Sequence, residues 1–291
     1  MHQTRENILF SSLDKELWLA KISELHEHYS SSPVRPHEIL FTFDQRISAS
    51  EIEPVHLVTL ACLIQYLMDK GNRVFMSGSN KALYEYIYTD LDFSAYWRGG
   101  KNHVNANTSN NIFNLWRIVD SEKDLYAKNV EQYFNKNFFE NKDLSAINVC
   151  LVEAFYNVFD HAHANKNAFS LLRYDADKNK LLVAIADFGI GIVNSVRNFN
   201  KGITDDIQAI EWALQDHSTV KSTTHNKGLG MGNILSIASS ARIFSGNALI
   251  RRFADLQESF SINFKFPGTL IYLDIDLDSF EDTEILDSFN W

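Results

Sequence analysis

Two apolar runs of strand length, Ala168 to Tyr174 and Leu181 to Ala186, are joined by the turn-forming stretch Asp175-Ala176-Asp177-Lys178-Asn179-Lys180. This pair constrains the fold more than any other feature, because runs of this length around such a turn read as paired strands. The second run ends directly in Asp187-Phe188-Gly189-Ile190-Gly191. On either side the apolar spacing becomes helical. Residues 123 to 138 give one amphipathic helix with Leu125, Val130, Tyr133, Phe134 and Phe138, and residues 144 to 162 give a second. Downstream, the pattern predicts a helix over 205–214 capped by Thr204, a polar stretch from Gln215 to Lys227, and a helix from about Gly230 to Ser240. Strands follow near 242–245, 248–253, 259–266 and 269–275. Helices, hairpin, helix and further strands predict an α+β sandwich.

Upstream the order differs. Leu13, Leu17, Leu19, Ile22 and Leu25 give a helix over 13–28, and Ser30-Ser31-Ser32-Pro33 breaks it. A strand at 39–43, a buried helix at 55–68, a strand at 73–76 and a helix at 81–88 then read as a small α/β layer structure. A polar loop at 96–111 and a strand at 115–119 complete it. A length of 291 residues accommodates two domains. The expected division is a leading helix and linker over 1–33, a small α/β domain over 34–121, an α+β domain over 122–277 and an acidic tail over 278–291.

The formal net charge of −10 gives no overall attraction to nucleic acid or to an anionic membrane surface. Neither partner is expected. The two cysteines, Cys62 and Cys150, sit in apolar helical contexts, which supports neither a disulfide framework nor a metal knuckle. The longest apolar run, Val55 to Met68, is interrupted by His56, Thr59 and Gln65 and is too short to span a bilayer. No secretory pattern is visible at Met1 to Asn7, so a cytoplasmic protein is expected.

Three stretches carry chemistry. On the helix over 144–162, Glu153, Asn157 and His161 recur every four residues, away from the face formed by Ile147, Leu151, Ala154, Phe155 and Val158. The amide oxygen of Asn157 can coordinate Mg²⁺, a hard cation that takes oxygen ligands, and Glu153 can orient or deprotonate a nucleophile. The Asp187 carboxylate, at a strand end, can accept a hydrogen bond from an exocyclic amine, and Gly189 and Gly191 let the backbone approach a flat ring. In Asn226-Lys227-Gly228-Leu229-Gly230-Met231-Gly232-Asn233, alternate glycines at a helix start expose N–H groups to an anion, with Lys227 adding charge. The spacing matches neither a Rossmann fingerprint nor a P-loop.

Taken together and in this order, these stretches resemble the GHKL superfamily, the ATP-binding fold of gyrase, the 90-kDa heat-shock chaperones, sensor histidine kinases and MutL. Glu153 to His161 resembles its N box, Asp187 to Gly191 its G1 box, Gly228 to Gly232 its G2 box, and the polar segment between the last two its ATP lid. Pro267-Gly268-Thr269 resembles the place where family members set a Thr beside the adenine. The resemblance implies ATP with Mg²⁺ as cofactors, Glu153 as catalytic base and Asn157 as metal ligand. Asp187, Gly189, Gly191 and Thr269 would bind the base, and Lys227, Gly228, Gly230, Met231 and Gly232 the phosphates.

The region before residue 122 offers no helical hairpin with a phosphoacceptor; His26 and His28 lie far upstream. The build therefore resembles the compact anti-sigma-type kinases. The strand and helix order over 38–120 is faintly similar to STAS-type domains, although Glu53-Pro54-Val55-His56 stands where that family places its phosphorylated Ser. That half implies a docking module for a protein partner, and a homodimer is compatible with it. Two functions follow from the resemblance. One is hydrolysis of ATP or transfer of its γ-phosphate to a Ser or Thr of a partner. The other is a nucleotide-gated interaction module with little turnover.

Overall fold

The computed structural model describes residues 5–31, 37–93, 95, 111–161, 168–215 and 230–282. Its first element is a strand that helical periodicity does not reveal. β1 (Arg5–Phe10) precedes α1 (Lys15–Ser31), β2 (Glu38–Phe43), α2 (Pro54–Asp69) and β3 (Arg73–Met76). β1, β2 and β3 form a three-stranded parallel sheet in that order, each crossover being one helix. Ile8, Phe10, Ile39, Phe41 and Phe43 alternate onto the helix-facing side and are buried. A short helix, α3 (Lys81–Glu85), runs into a π-helical turn at Tyr86–Asp90.

The second sheet is antiparallel and has five strands. After β4 (Ile112–Ile118) come α4 (Lys123–Asn137) and α5 (Ser145–Tyr156), then β5 (Ala168–Asp175), β6 (Lys180–Asp187), α6 (Gly191–Phe199) and α7 (Asp206–Leu214). α8 (Gly230–Ser236), β7 (Ser240–Phe253) and β8 (Leu256–Asp276) follow, and the strand order is β4-β5-β6-β8-β7. The expected hairpin is β5–β6, paired from Phe169↔Ala186 to Asp175↔Lys180. The four strands read near the C-terminus are two long ones, interrupted by register shifts around Gly246. α6 is not among the expected elements, although Ile192, Val193, Val196 and Phe199 recur at helical spacing. The cap of α7 is Asp205, whose carboxylate accepts from the Gln208 amide at 2.9 Å, rather than Thr204. Asp is the stronger cap, because it also brings negative charge to the positive helix end.

Both faces of the larger sheet are covered. Leu181, Val183 and Ile185 of β6 join the core under α4, α5, α6, α7 and α8. Ala184 and Ala186 point the other way, into a core shared with α1 and α2. The alternation is the ordinary period of a strand, and the continuously apolar run follows from burial on both sides. Small side chains at 184 and 186 let α2 approach closely. α2 is apolar around most of its circumference, with Val55, Leu57, Val58, Leu60, Ala61, Cys62, Leu63, Ile64 and Leu67 buried, because it packs against both sheets.

Polar ties fix this layer. Trp18 Nε1 of α1 donates to Thr59 Oγ1 of α2 at 2.9 Å within the core. Where the STAS resemblance would place a phosphorylated Ser, the residues are structural. The Glu53 amide donates to His56 Nδ1 at 2.9 Å, and His56 Nε2 bonds the Leu13 carbonyl, also at 2.9 Å. The Glu53 carboxylate pairs with Lys15 at 3.0 Å and accepts from Tyr272 Oη at 2.7 Å, which ties α1, α2 and β8. Burial lowers the His56 pKa to about 4, so the ring is neutral around pH 7. No described helix is long and apolar enough to cross a membrane.

Candidate functional site

Asp187 closes β6 opposite Thr269 of β8 and has no solvent exposure. Its Oδ1 accepts from the Gly189 amide at 2.7 Å, within the loop that the two glycines make. No hydrogen bond of good geometry reaches Oδ2. Burial raises the carboxyl pKa to about 7, with the Gly189 amide and the Thr269 amide and hydroxyl pulling the other way. A fully buried carboxylate oxygen that no hydrogen bond of good geometry satisfies is rare enough to require an account.

The loop after Asp187 is held by close backbone packing. Gly191 has φ +74° and Gly268 φ +99°. A Cβ on Gly268 would lie 2.2 Å from the Asp187 carbonyl oxygen, and one on Gly191 2.5 Å from the Gly268 carbonyl oxygen. Glycine is required at both places for space as well as for conformation. Ser245 of β7 bridges the same point, donating to the Gly268 carbonyl at 3.0 Å and accepting from the Val193 amide at 3.3 Å. Asp187, Gly189, Gly191 and Thr269 therefore occupy one contiguous patch.

Below this loop the first half of the chain takes part. Phe188 packs edge-on to His26 of α1, with ring centroids 5.2 Å apart, and to Phe266 of β8 at 5.9 Å. His26 lies against Tyr66 of α2 at 4.2 Å. Burial, then Lys70, lowers the His26 pKa to about 4, so it packs as a neutral ring. Cys62 of α2 is close enough for the Asp187 charge to raise its thiol pKa further, on top of burial.

Glu153 and Asn157 sit where α5 changes character. The helix is regular to Tyr156, and Asn157–His161 forms a π-helical turn. Such single π turns recur at functional sites, because they rotate the following side chains off the regular helical face. Asn157 Nδ2 donates to the Glu153 carbonyl at 3.0 Å, which fixes the amide's orientation. Burial raises the Glu153 pKa and makes it a stronger base than a surface glutamate. The π turn packs against α6, which begins at Gly191, and α5 packs against α8, which begins at Gly230. The Cys150 thiol reaches the Ile234 carbonyl at 4.0 Å across that second contact.

The chain matches no protein-family model and no curated protein.

The remaining expected residues divide. Gly230, Met231 and Gly232 form the first turn of α8. Lys227 and Gly228, with the polar segment before them, lie outside the described residues. Three participants escape a reading of motifs: Ser245, His26 and Phe266. Ser245 is an isolated hydroxyl in a strand, and His26 looks like a solvated helix residue, so only three-dimensional contacts single them out. Among the described residues no group of three or more His, Cys, Asp and Glu could hold a metal ion. Two cavities, of about 610 and 570 Å³, flank α1 on the other face of the larger sheet.

Proposed function

We propose that the five-stranded sheet and its helices form a GHKL-type site that binds ATP with Mg²⁺. The observation that carries this reading is Asp187. Its Oδ2 is a buried acceptor that no hydrogen bond of good geometry reaches, at a strand end whose neighbours are Gly189, Gly191 and Thr269. An adenine exocyclic amine is a neutral donor of the kind that satisfies such an oxygen, and the glycines admit its ring. The packing of α5 and its π turn against α6 and α8 supports the rest of the reading, since it gathers Glu153, Asn157 and the glycine-led helix around one region.

The residues fit the group. Mg²⁺ is commonly held by one or two protein oxygens, with phosphate oxygens and water completing its shell, so Asn157 Oδ1 is a sufficient protein ligand. Bound ATP with its cation would supply an electrophilic γ-phosphate whose charge the metal partly neutralises. Asp187 reads the base, and Gly230 and Gly232 offer backbone N–H groups to the phosphates. Lys227 adds charge to the same end. Glu153, made more basic by burial, accepts the proton of an attacking water or of a partner Ser or Thr.

Whether the acceptor is water or protein separates an ATPase from a serine/threonine kinase of anti-sigma type. The first half of the chain, with α1 and α2 under the Asp187 loop, is the element through which a protein partner would feel the nucleotide. The second reading, a nucleotide-gated interaction module without turnover, draws on the same contact between Phe188 and His26.

The test is incubation with γ-labelled ATP and Mg²⁺, alone and with cell extract, for wild type and Glu153→Ala. The enzyme reading expects label released or transferred by wild type, and at least a hundredfold less by Glu153→Ala, on the order of a lost general base. Undiminished turnover in the variant would remove Glu153 from the chemistry. ATP binding without turnover in both proteins would leave the gated module.

A further inference from the structure

The cavity of about 570 Å³ lies between α1 and the β7–β8 arm, and its volume is in the range that holds a small organic ligand. Its apolar lining combines the aromatic rings of Phe244, Phe260, Phe264 and Tyr272 with the aliphatic Leu19, Val55, Leu249 and Ile262. Three cations reach it, Lys15, Arg242 and Arg251, and they differ in how they are satisfied. Lys15 is paired with Glu53 at 3.0 Å, and Arg251 with Glu258 at 2.6 Å.

Arg242 has no such carboxylate among the described residues. Its guanidinium lies 5.5 Å from the Tyr272 ring centroid and donates one long hydrogen bond, 3.5 Å, to Ser240 Oγ. Asp274 on the adjoining strand feels the Arg242 charge but lies beyond ion-pair distance. The two acids in the lining are Asp14 and Glu16 at the start of α1. Asp14 is occupied in capping, its Oδ1 accepting from the Leu17 amide at 3.0 Å. A half-buried guanidinium with a planar fork of donors and so little to bond is matched by a carboxylate, which can take two of those donors at once.

We propose that this cavity is a binding site for a small aromatic carboxylate, with its acid on Arg242 and its ring among Phe244, Phe260 and Phe264. The site is separate from the Asp187 region and makes no use of the nucleotide reading. Lys15 and Arg251 are matched by Glu53 and Glu258, which leaves Arg242 as the cation of the lining for an anion to pair with.

The test is calorimetric titration of the full chain with 1-naphthoate and with its neutral isostere, 1-naphthamide. Wild type is expected to bind naphthoate saturably, one per chain, and the amide about tenfold more weakly, the cost of losing a charge-assisted pair. Arg242→Gln, with its melting temperature checked, is expected to lower naphthoate binding to the level of the amide. Ile262→Trp, on the same face of β8 as Phe260 and Phe264 and only partly buried, is expected to fill the cavity and abolish binding of both compounds. Absence of saturable naphthoate binding by wild type would overturn the proposal. So would equal affinity for acid and amide, or naphthoate binding that neither substitution reduces.

Discussion

A carboxylate taken wholly out of water with a single good hydrogen bond is costly as an anion. Asp187 is in that position, and its pKa of about 7 is the consequence. In the unfolded chain an aspartate titrates near 3.9. Between about pH 4 and pH 7 the folded protein therefore holds a proton that the unfolded chain has released. Stability falls as pH rises through that window, by about 1.4 kcal/mol per pH unit at most, and the loss is complete above about pH 7. The buried neutral histidines act with the opposite sign, since between about pH 4 and pH 6.5 the unfolded chain binds protons at His26 and His56 that the folded rings refuse. Comparison with Asp187→Asn isolates the aspartate. Thermal melts from pH 5 to pH 8 should show the variant gaining steadily on wild type and exceeding it at pH 8, while losing ATP binding. Parallel curves would show that Asp187 is not buried as described. Such a residue, destabilising in the empty fold and needed by the ligand, is the usual exchange of stability for function at a site.

At the scale of elements, the β6–α6 loop and the loop leading into Thr269 are locked by backbone approach. Gly268→Ala should destabilise the protein by more than the 1–3 kcal/mol that left-handed strain alone costs, because the added carbon would overlap the Asp187 carbonyl oxygen. Gly71 is the control. It has φ +84° with nothing within 4 Å of the place a Cβ would take, so Gly71→Ala should show the strain alone. Urea unfolding of the two variants makes the comparison, and equal losses would refute the close approach. These elements are unevenly legible in the sequence. β5, β6 and α2 are marked by long apolar runs, and Asp187 with its glycines by position at a strand end. The π turn at Asn157 keeps the apolar spacing of a helix and gives no separate signal, so Glu153 to His161 reads as regular. β1 is short, and its open side mixes Arg5 and Asn7 with the exposed, apolar Leu9, which hides its alternation. Ser245 and His26 matter only through contacts far along the chain, and local patterns carry no trace of those.

Across the whole molecule, α1 and α2 form a layer between the parallel and antiparallel sheets, and the core on that side draws on both. Ser30-Ser31-Ser32-Pro33 and the polar loop at 96–111 suggest breaks between units, and composition does not report which faces pack. A chain beginning at residue 111 would expose Phe169, Leu171, Phe244, Leu270 and Tyr272, an apolar face far larger than soluble proteins tolerate. It should aggregate or bind a hydrophobic dye, whereas the full chain should unfold in a single transition. A soluble, dye-silent fragment with cooperative unfolding would show that the shared core is dispensable. The same layer places His26 and Tyr66 beneath Phe188, so the half that would meet a partner touches the half that would hold the nucleotide. The central claim is that the Asp187 region binds ATP, and calorimetric titration of ATP in Mg²⁺ into wild type and Asp187→Asn tests it most directly. One saturable site per chain that the substitution abolishes is the predicted result; absence of ATP binding by the folded wild type, or equal binding by both proteins, would contradict it.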